Sequence, residues 1–208
     1  GNQRFQQTSG MVMAKGVEDC AFYGTSRLVS LTEVGGDPAL FSVSVADFHA
    51  AMAARQEHWP HAMTAASTHD TKRGEDVRAR VDVLSELPQA WAGWVGRLLE
   101  LAPVPNPSFG NLLWQSIVGA WPASRERLHT YAEKAMREAG EQTSWTDPDA
   151  GYEAAVHAAV DAAFDDEAVA DVLAQVLAAV VDPGWSNALT AKLVGMTLPG
   201  APDVYQGA

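Results

Sequence analysis

From Met11 to Tyr23 the stretch MVMAKGVEDCAFY begins apolar and turns amphipathic. That pattern suits either a short strand feeding a helix at Gly16 or one continuous helix. RLVSL follows as a short apolar segment, and EVGGDP, with two glycines and an Asp-Pro, predicts a sharp loop or linker over residues 33–42. Ser44 is placed to cap a helix whose positions Val45, Phe48, Ala51 and Met52 share one inward side, and Pro60 ends it. Met63 to Ser67 is short and apolar to small throughout. This is the pattern of a strand buried on both faces, and it puts His69 and Asp70 at the strand's C-terminal end.

After Gly74 helical spacing returns, with Val77, Val81 and Leu84 inward and Asp76 one turn before Arg80. Pro88 breaks that helix, and a second piece with Trp91, Trp94, Leu98 and Leu99 runs to APVPNPSFG, an ordered loop over 102–110. NLLWQSIVGAW is nearly apolar all round, which predicts a central helix. SRERLHTYAEKAMREAG is amphipathic through Leu128, Tyr131, Ala135 and Met136 and ends at Gly140. Asp147-Pro148 opens a helix with Tyr152, Val156, Val160 and Phe164, and DEAVADVLAQVLAAVV continues with Val169, Val172, Leu173, Val176, Leu177 and Val180. A bundle of four or five helices is the result. Ser186 then caps a last helix, Leu189 to Met196, and TLPGAPDVYQGA closes the chain as a short extended segment.

Composition narrows the class. At 208 residues and 47% hydrophobic content the chain can bury a real core, as one large domain or two small ones. The 14 basic residues are scattered among 26 acidic ones, for a net charge of −12, which excludes nucleic acid as the expected partner. Cys20 is the single cysteine and forms no internal disulfide. The polar start GNQRFQQTSG reads as neither signal peptide nor anchor, and no apolar run approaches membrane-spanning length. A cytoplasmic location with no membrane partner, no cofactor and no metal ion is the expectation.

The candidate chemistry lies in STHDTKRGED, residues 67–76, a charge-dense piece between two apolar elements. One reading makes it a helix cap, with Asp70 or Thr71 accepting orphan backbone N–H groups. The other makes it a site, because barrel and open-sheet enzymes keep catalytic carboxylates at the C-terminal ends of parallel strands. Position alone leaves both open. MAKGVEDCAFY likewise reads as an ordinary helix start with Phe22 and Tyr23 in the core, and PGAPDVYQG as a turn with an aromatic plug.

In order along the chain, QQTSGMVMAKGVEDCAFY, RLVSLTEVGGDP, STHDTKRGEDVRAR, LWQSIVGAWP and PGAPDVYQG together resemble the malto-oligosyltrehalose synthases, glucosylmutases of the α-amylase superfamily of glycoside hydrolases. The HDTKR form separates that family from ordinary amylases, which share only the His-Asp pair. The resemblance implies a retaining transglycosylase acting on maltodextrin, built on a (β/α)8 barrel with a nucleophile, a general acid/base and a transition-state-stabilising aspartate. Asp70 matches that aspartate, and His69 matches the histidine that binds hydroxyls of the sugar at the cleavage point. Lys72 and Arg73 would hold Asp70 or contact further glucose units, while Lys15, Phe22 and Tyr23 are candidates for the wall of a closed reducing-end pocket.

No string here resembles the family's nucleophile or acid motifs, which lie upstream. The expected fold is therefore mainly α, the last part of a (β/α)8 barrel carrying a helical-bundle insertion between its final two strands. Residues 1–87 would be barrel with the His-Asp strand end, 88–185 the insertion, and 186–208 the return to the last barrel helix and strand. Such a piece would be inactive without the remainder of the barrel. It departs from the family at Cys20, where threonine is usual, at Gly24 and Thr25, where arginine and tyrosine are usual, and at YQGA, where the family pattern continues to a glutamate. A non-catalytic helical interaction domain and an amylase-type hydrolase are the alternatives.

Overall fold

The computed structural model describes residues 2–207. The chain opens as one uninterrupted helical run, α1 (Asn2–Val12) passing into a π-helix over Met13–Ala21 and then into the short α2 (Phe22–Gly24). The continuous helix thus prevails over a strand feeding Gly16. Only its last turn is buried, through Phe22 and Tyr23. A 3-10 turn at Val29–Leu31 follows, and Val29 is fully buried.

The Ser44 hydroxyl accepts the Asp47 N–H and starts α3 (Val45–His58) as expected, yet the expected inward side is not buried. Val45 is 74% exposed, and Phe48 and Met52 are half-buried, because α3 packs closely along no other element among the described residues. β1 (Met63–Ala65) is a strand, but the expectation of burial on both faces also fails. It belongs to a two-stranded sheet, which covers neither face.

α4 (Glu75–Asp82) leads through a 3-10 turn at Val83–Glu86 into α5 (Pro88–Leu101), α6 (Pro107–Ala120), α7 (Arg125–Ala139), α8 (Ala150–Asp165) and α9 (Glu167–Thr197). Local chemistry sets their ends. Asn106 Oδ1 accepts the Ser108 and Phe109 N–H groups ahead of Pro107, Ser124 caps α7, and Gly140 ends it with φ +65°. Asp149 caps α8, two residues beyond the expected Asp147 start. α6 is the central helix: Leu112, Leu113, Trp114, Ile117 and Val118 are all fully buried, each stabilising by about 1.5–3 kcal/mol.

α9 corrects the reading of a separate last helix capped by Ser186. It runs 31 residues through Pro183, which lacks the N–H for an intrahelical bond. Packing carries it past the break. A Cβ on Gly184 would lie 2.9 Å from Arg80 Cα, so only glycine lets α9 approach α4 this closely. Asn187 donates to the Ala79 carbonyl (3.3 Å), and Lys192 Nζ lies 2.5 Å from Glu75 Oε1. By length and composition α9 could cross a membrane, contrary to the expectation that no stretch reaches that length, and its buried positions Val169, Val172, Leu173, Val176 and Val180 belong to the helical core. A boundary at 185/186 falls inside this helix.

β2 (Ala201–Asp203) then pairs with β1 in parallel, Met63 opposite Ala201, Thr64 opposite Pro202 and Ala65 opposite Asp203. Gly200, at φ +124°, begins the pairing where a Cβ would lie 2.7 Å from the Ala62 carbonyl oxygen. The helices α4 to α9 all lie in the connection between two adjacent parallel strands.

Between α7 and α8, His129 Nδ1 lies 2.7 Å from His157 Nδ1, and His129 Nε2 lies 2.9 Å from Asp161 Oδ1. Burial, and then the neighbouring His129, hold His157 below its ordinary 6.5, outweighing the raising effects of Glu133, Glu153 and Asp161. A depressed histidine contributes stability that is complete above the unfolded value and is lost as pH falls through the folded one. Thermal stability should therefore decline as pH falls below the ordinary histidine value of 6.5, and His157→Gln should flatten that decline. The carboxylates of this seam titrate lower, Glu153 at about 2, so they leave this window to the histidine. Identical slopes for the two proteins in a scan of melting temperature against pH would refute this.

Candidate functional site

Just beyond β1 the chain makes a tight turn at Thr68–Thr71, knitted by its own threonines. Thr71 donates to the Thr68 carbonyl through its N–H (3.2 Å) and its hydroxyl (2.8 Å), and the Asp70 N–H donates to Thr68 Oγ1 (3.3 Å). His69 and Asp70 occupy the corner, with side chains 79% and 70% exposed and His69 Nε2 3.4 Å from Asp70 Oδ2. A carboxylate beside an imidazole is thus presented to solvent past the C-terminal end of a parallel strand.

Both flanks of the turn are anchored. On the strand side Arg78 Nη2 donates to the Ala66 carbonyl and to Ser67 Oγ (3.3 Å). On the helix side the Glu33 carboxylate, 5% exposed, accepts the N–H groups of Lys72 (2.7 Å) and Arg73 (2.9 Å) together with its own neighbour Val34 (2.8 Å).

The remaining sequence-predicted residues lie in two groups. Lys72 is nearly buried at 3% exposure, its ammonium 3.0 Å from Asp19 Oδ1 and 4.7 Å from the centroid of the Tyr23 ring. Asp19 is shared, since Lys15 holds its other oxygen at 2.5 Å. Burial pushes the Asp19 carboxyl up, but the hydrogen bonds and charges of the two lysines outweigh it and leave it below the ordinary carboxylate range. Lys15, held above its ordinary value chiefly by Asp19, also feels the charge of Asp70. The N-terminal helix is thus joined to the segment that follows the His-Asp turn through the Lys72–Asp19 ion pair.

Arg73 points inward. At 5% exposure it donates to the carbonyls of Val29 (3.1 Å) and Thr32 (3.3 Å) and to Tyr131 Oη (2.9 Å), which in turn shares a hydrogen with Ser116 Oγ (2.8 Å). This chain ties the turn to α6 and α7. Phe22 and Tyr23, expected on a pocket wall with Lys15, are each 3% exposed, and the Tyr23 ring packs edge-on against Tyr131 at 6.4 Å. Burial pushes the Tyr23 phenol up. Of the three, Lys15 alone stands at the surface. The reason is geometric: the last turn of the helical run packs against α7, and the Tyr23 ring joins the helical core there.

A cleft of about 440 Å³ runs along the strand pair, lined among others by Thr64, Ala65, Pro202, Asp203 and Lys192. Neither His69 nor Asp70 lines it. Among the described residues no group of three or more His, Cys, Asp or Glu side chains is arranged to hold a metal ion. Glu33, Asp19, Arg78 and Tyr131 escaped the sequence reading as site residues, because two of them act on backbone groups and two on a residue more than fifty positions away.

No family model matches the chain. Two Mycobacterium tuberculosis proteins described as maltooligosyl trehalose synthase, from strains CDC 1551 / Oshkosh and ATCC 25618 / H37Rv, are each 50% identical to it over 211 aligned residues, 98% of this chain and 28% of theirs. The solved maltooligosyltrehalose synthase from Arthrobacter ramosus superposes with a TM-score of 0.96 at 51% identity, covering 98% of this chain and 27% of that one. A Sulfolobus tokodaii structure solved as a hypothetical maltooligosyl trehalose synthase gives 0.90 at 32% identity, covering 98% and 29%. The chain spans less than a third of the length of the relatives it matches.

Proposed function

Because the chain belongs to the maltooligosyltrehalose synthase family, we propose that it is part of the catalytic barrel of an intramolecular transglucosylase that acts on the reducing end of maltodextrins. The observation that carries this reading is Asp70, exposed in a rigid turn just past the C-terminal end of β1, where β1 lies parallel and adjacent to β2. Residues 1–87 supply barrel elements and the helical body forms the crossover between the last two strands, with α9 continuous across the return to β2.

In this role the terminal α-1,4 bond breaks through a glycosyl-enzyme intermediate, using a nucleophile and an acid from the remainder of the barrel. The released glucose turns and rejoins as an α,α-1,1 linkage. One glycosidic bond breaks, one forms, and no water is consumed. Asp70 stabilises the positive charge that develops on the ring, and His69 holds ring hydroxyls in hydrogen bonds that strengthen with that charge. Lys72 and Arg73 are assigned to holding the turn, and Lys15, exposed beside Asp19, to the sugar-facing rim. The activity belongs in the cytoplasm, with maltodextrin as substrate.

The test is to incubate the full-length protein carrying this segment with maltopentaose. Reducing ends should disappear while chain length stays constant, and the 208-residue chain alone should yield no such product. Shortened dextrins with free glucose as the main product would establish the hydrolase alternative instead.

A further inference from the structure

We propose that Glu33 is a positioning residue for catalysis, setting the height and orientation of the His69–Asp70 turn by clamping the backbone that leaves it. The proposal rests on the reading of Asp70 given above. A buried carboxylate is costly unless its oxygens are satisfied, and a structural glutamate usually obtains this from a cationic side chain. Glu33 does not lie in an ion pair with the neighbouring Arg73, whose guanidinium donates elsewhere. Its three donors are all main-chain amides: Val34 in its own loop, and Lys72 and Arg73 across 39 and 40 residues of sequence. Oε1 takes Val34 and Lys72, and Oε2 takes Arg73.

Two consecutive amides gripped by the two oxygens of one carboxylate fix the peptide between them in both position and orientation. Charge-assisted bonds of this kind are about twice as strong as neutral ones. That peptide begins two residues after Asp70, and Thr71 is the only residue between them. The grip is held in turn, because the Glu33 carbonyl accepts the Gly36 N–H (2.8 Å) and the Gly35 N–H donates to Glu18 (3.1 Å). Glu18 lies in the same helical run as Asp19, which pairs with the Lys72 ammonium, so the loop that carries Glu33 is registered to the segment it grips. No side chain other than a carboxylate of this length offers two acceptors here. In Glu33→Gln the amide group must point at one of the three N–H donors, and in Glu33→Ala all three are left unpaired.

The experiment uses the full-length protein with maltopentaose, in Glu33→Gln, Glu33→Ala, Asp70→Asn and the double variants. Misplacing a catalytic carboxylate by a fraction of an ångström acts on the transition state, so kcat should fall on the order of 10- to 100-fold in Glu33→Ala, less in Glu33→Gln, with KM changing far less. Amide hydrogen exchange at Lys72 and Arg73 should quicken in the same order while core amides of α6 remain protected. Because Glu33 acts through Asp70, its substitution should cost little further kcat in the Asp70→Asn background. Should Glu33→Ala fail to fold, Glu33→Gln carries the same comparison. Equal kcat losses from Glu33 substitution in both backgrounds, or a wild-type kcat in Glu33→Gln despite quickened exchange, would overturn the positioning role alone. A wild-type kcat in Asp70→Asn would overturn the functional reading and this proposal with it.

Discussion

Asp70→Asn in the full-length protein is expected to lower kcat for maltopentaose by about 10³-fold while moving KM by less than about threefold. The swap keeps the shape of the side chain and removes its charge. At 70% exposure, in a turn whose backbone is tied by Thr68 and Thr71, the side chain is not part of the core. A loss of activity therefore cannot be assigned to unfolding, and circular dichroism should be unchanged. The charge matters little to a neutral ground-state sugar and most when the ring approaches an oxocarbenium ion, so its removal falls on the chemical step. Parallel rises in KM with an intact kcat would make Asp70 a binding residue and remove it from the chemistry.

The largest stability effect is expected at Arg73. Arg73→Met keeps the apolar stem but leaves the Val29 and Thr32 carbonyls and the Tyr131 hydroxyl without this donor. Val29 and Thr32 are at most 1% exposed, so water does not readily replace the lost partner. The Val29 carbonyl keeps the Thr32 N–H and hydroxyl and Tyr131 keeps Ser116, so the Thr32 carbonyl is the acceptor left unpaired. One unpaired buried acceptor costs about 1–3 kcal/mol, and with the two weakened contacts the variant should lose about 2–3 kcal/mol, read as a lower urea midpoint at unchanged m. Tyr131→Phe removes only the outermost of these links and should cost about 1 kcal/mol. A loss below about 1 kcal/mol in Arg73→Met would show that the turn is held without it.

How much of this was legible in the sequence depends on where each signal is written. α6 was readable because its apolar residues cover every face, which only a central helix tolerates, and the Ser44 and Gly140 ends follow from local chemistry. The strand at Met63 and the extended return at Ala201 were also visible, but their shared exposure was not, since an apolar run does not say how many strands accompany it. The break expected near Pro183 failed because a proline costs a helix only about 3 kcal/mol, which the close packing of Gly184 on Arg80 offsets.

At the candidate site, the resemblance in the motifs pointed to His69 and Asp70, and the structure adds the frame around them. Phe22 and Tyr23 illustrate the limit. An aromatic pair in a motif reads equally as pocket wall or as core; both rings are buried, and the Tyr23 ring packs on Tyr131, more than a hundred residues on. Glu33 was silent for a different reason: its partners are main-chain amides, which every residue but proline carries, so no complementary side chain marks them in the sequence.

The most direct measurement is a crystal structure of the full-length protein with a maltooligosaccharide bound across the cleavage point. The account predicts the Asp70 carboxylate and the His69 imidazole within about 3 Å of hydroxyls of one glucose ring, with Lys72 still on Asp19 and Arg73 still on Tyr131. A sugar seated elsewhere, with the Thr68–Thr71 turn facing solvent in the complex, would contradict it.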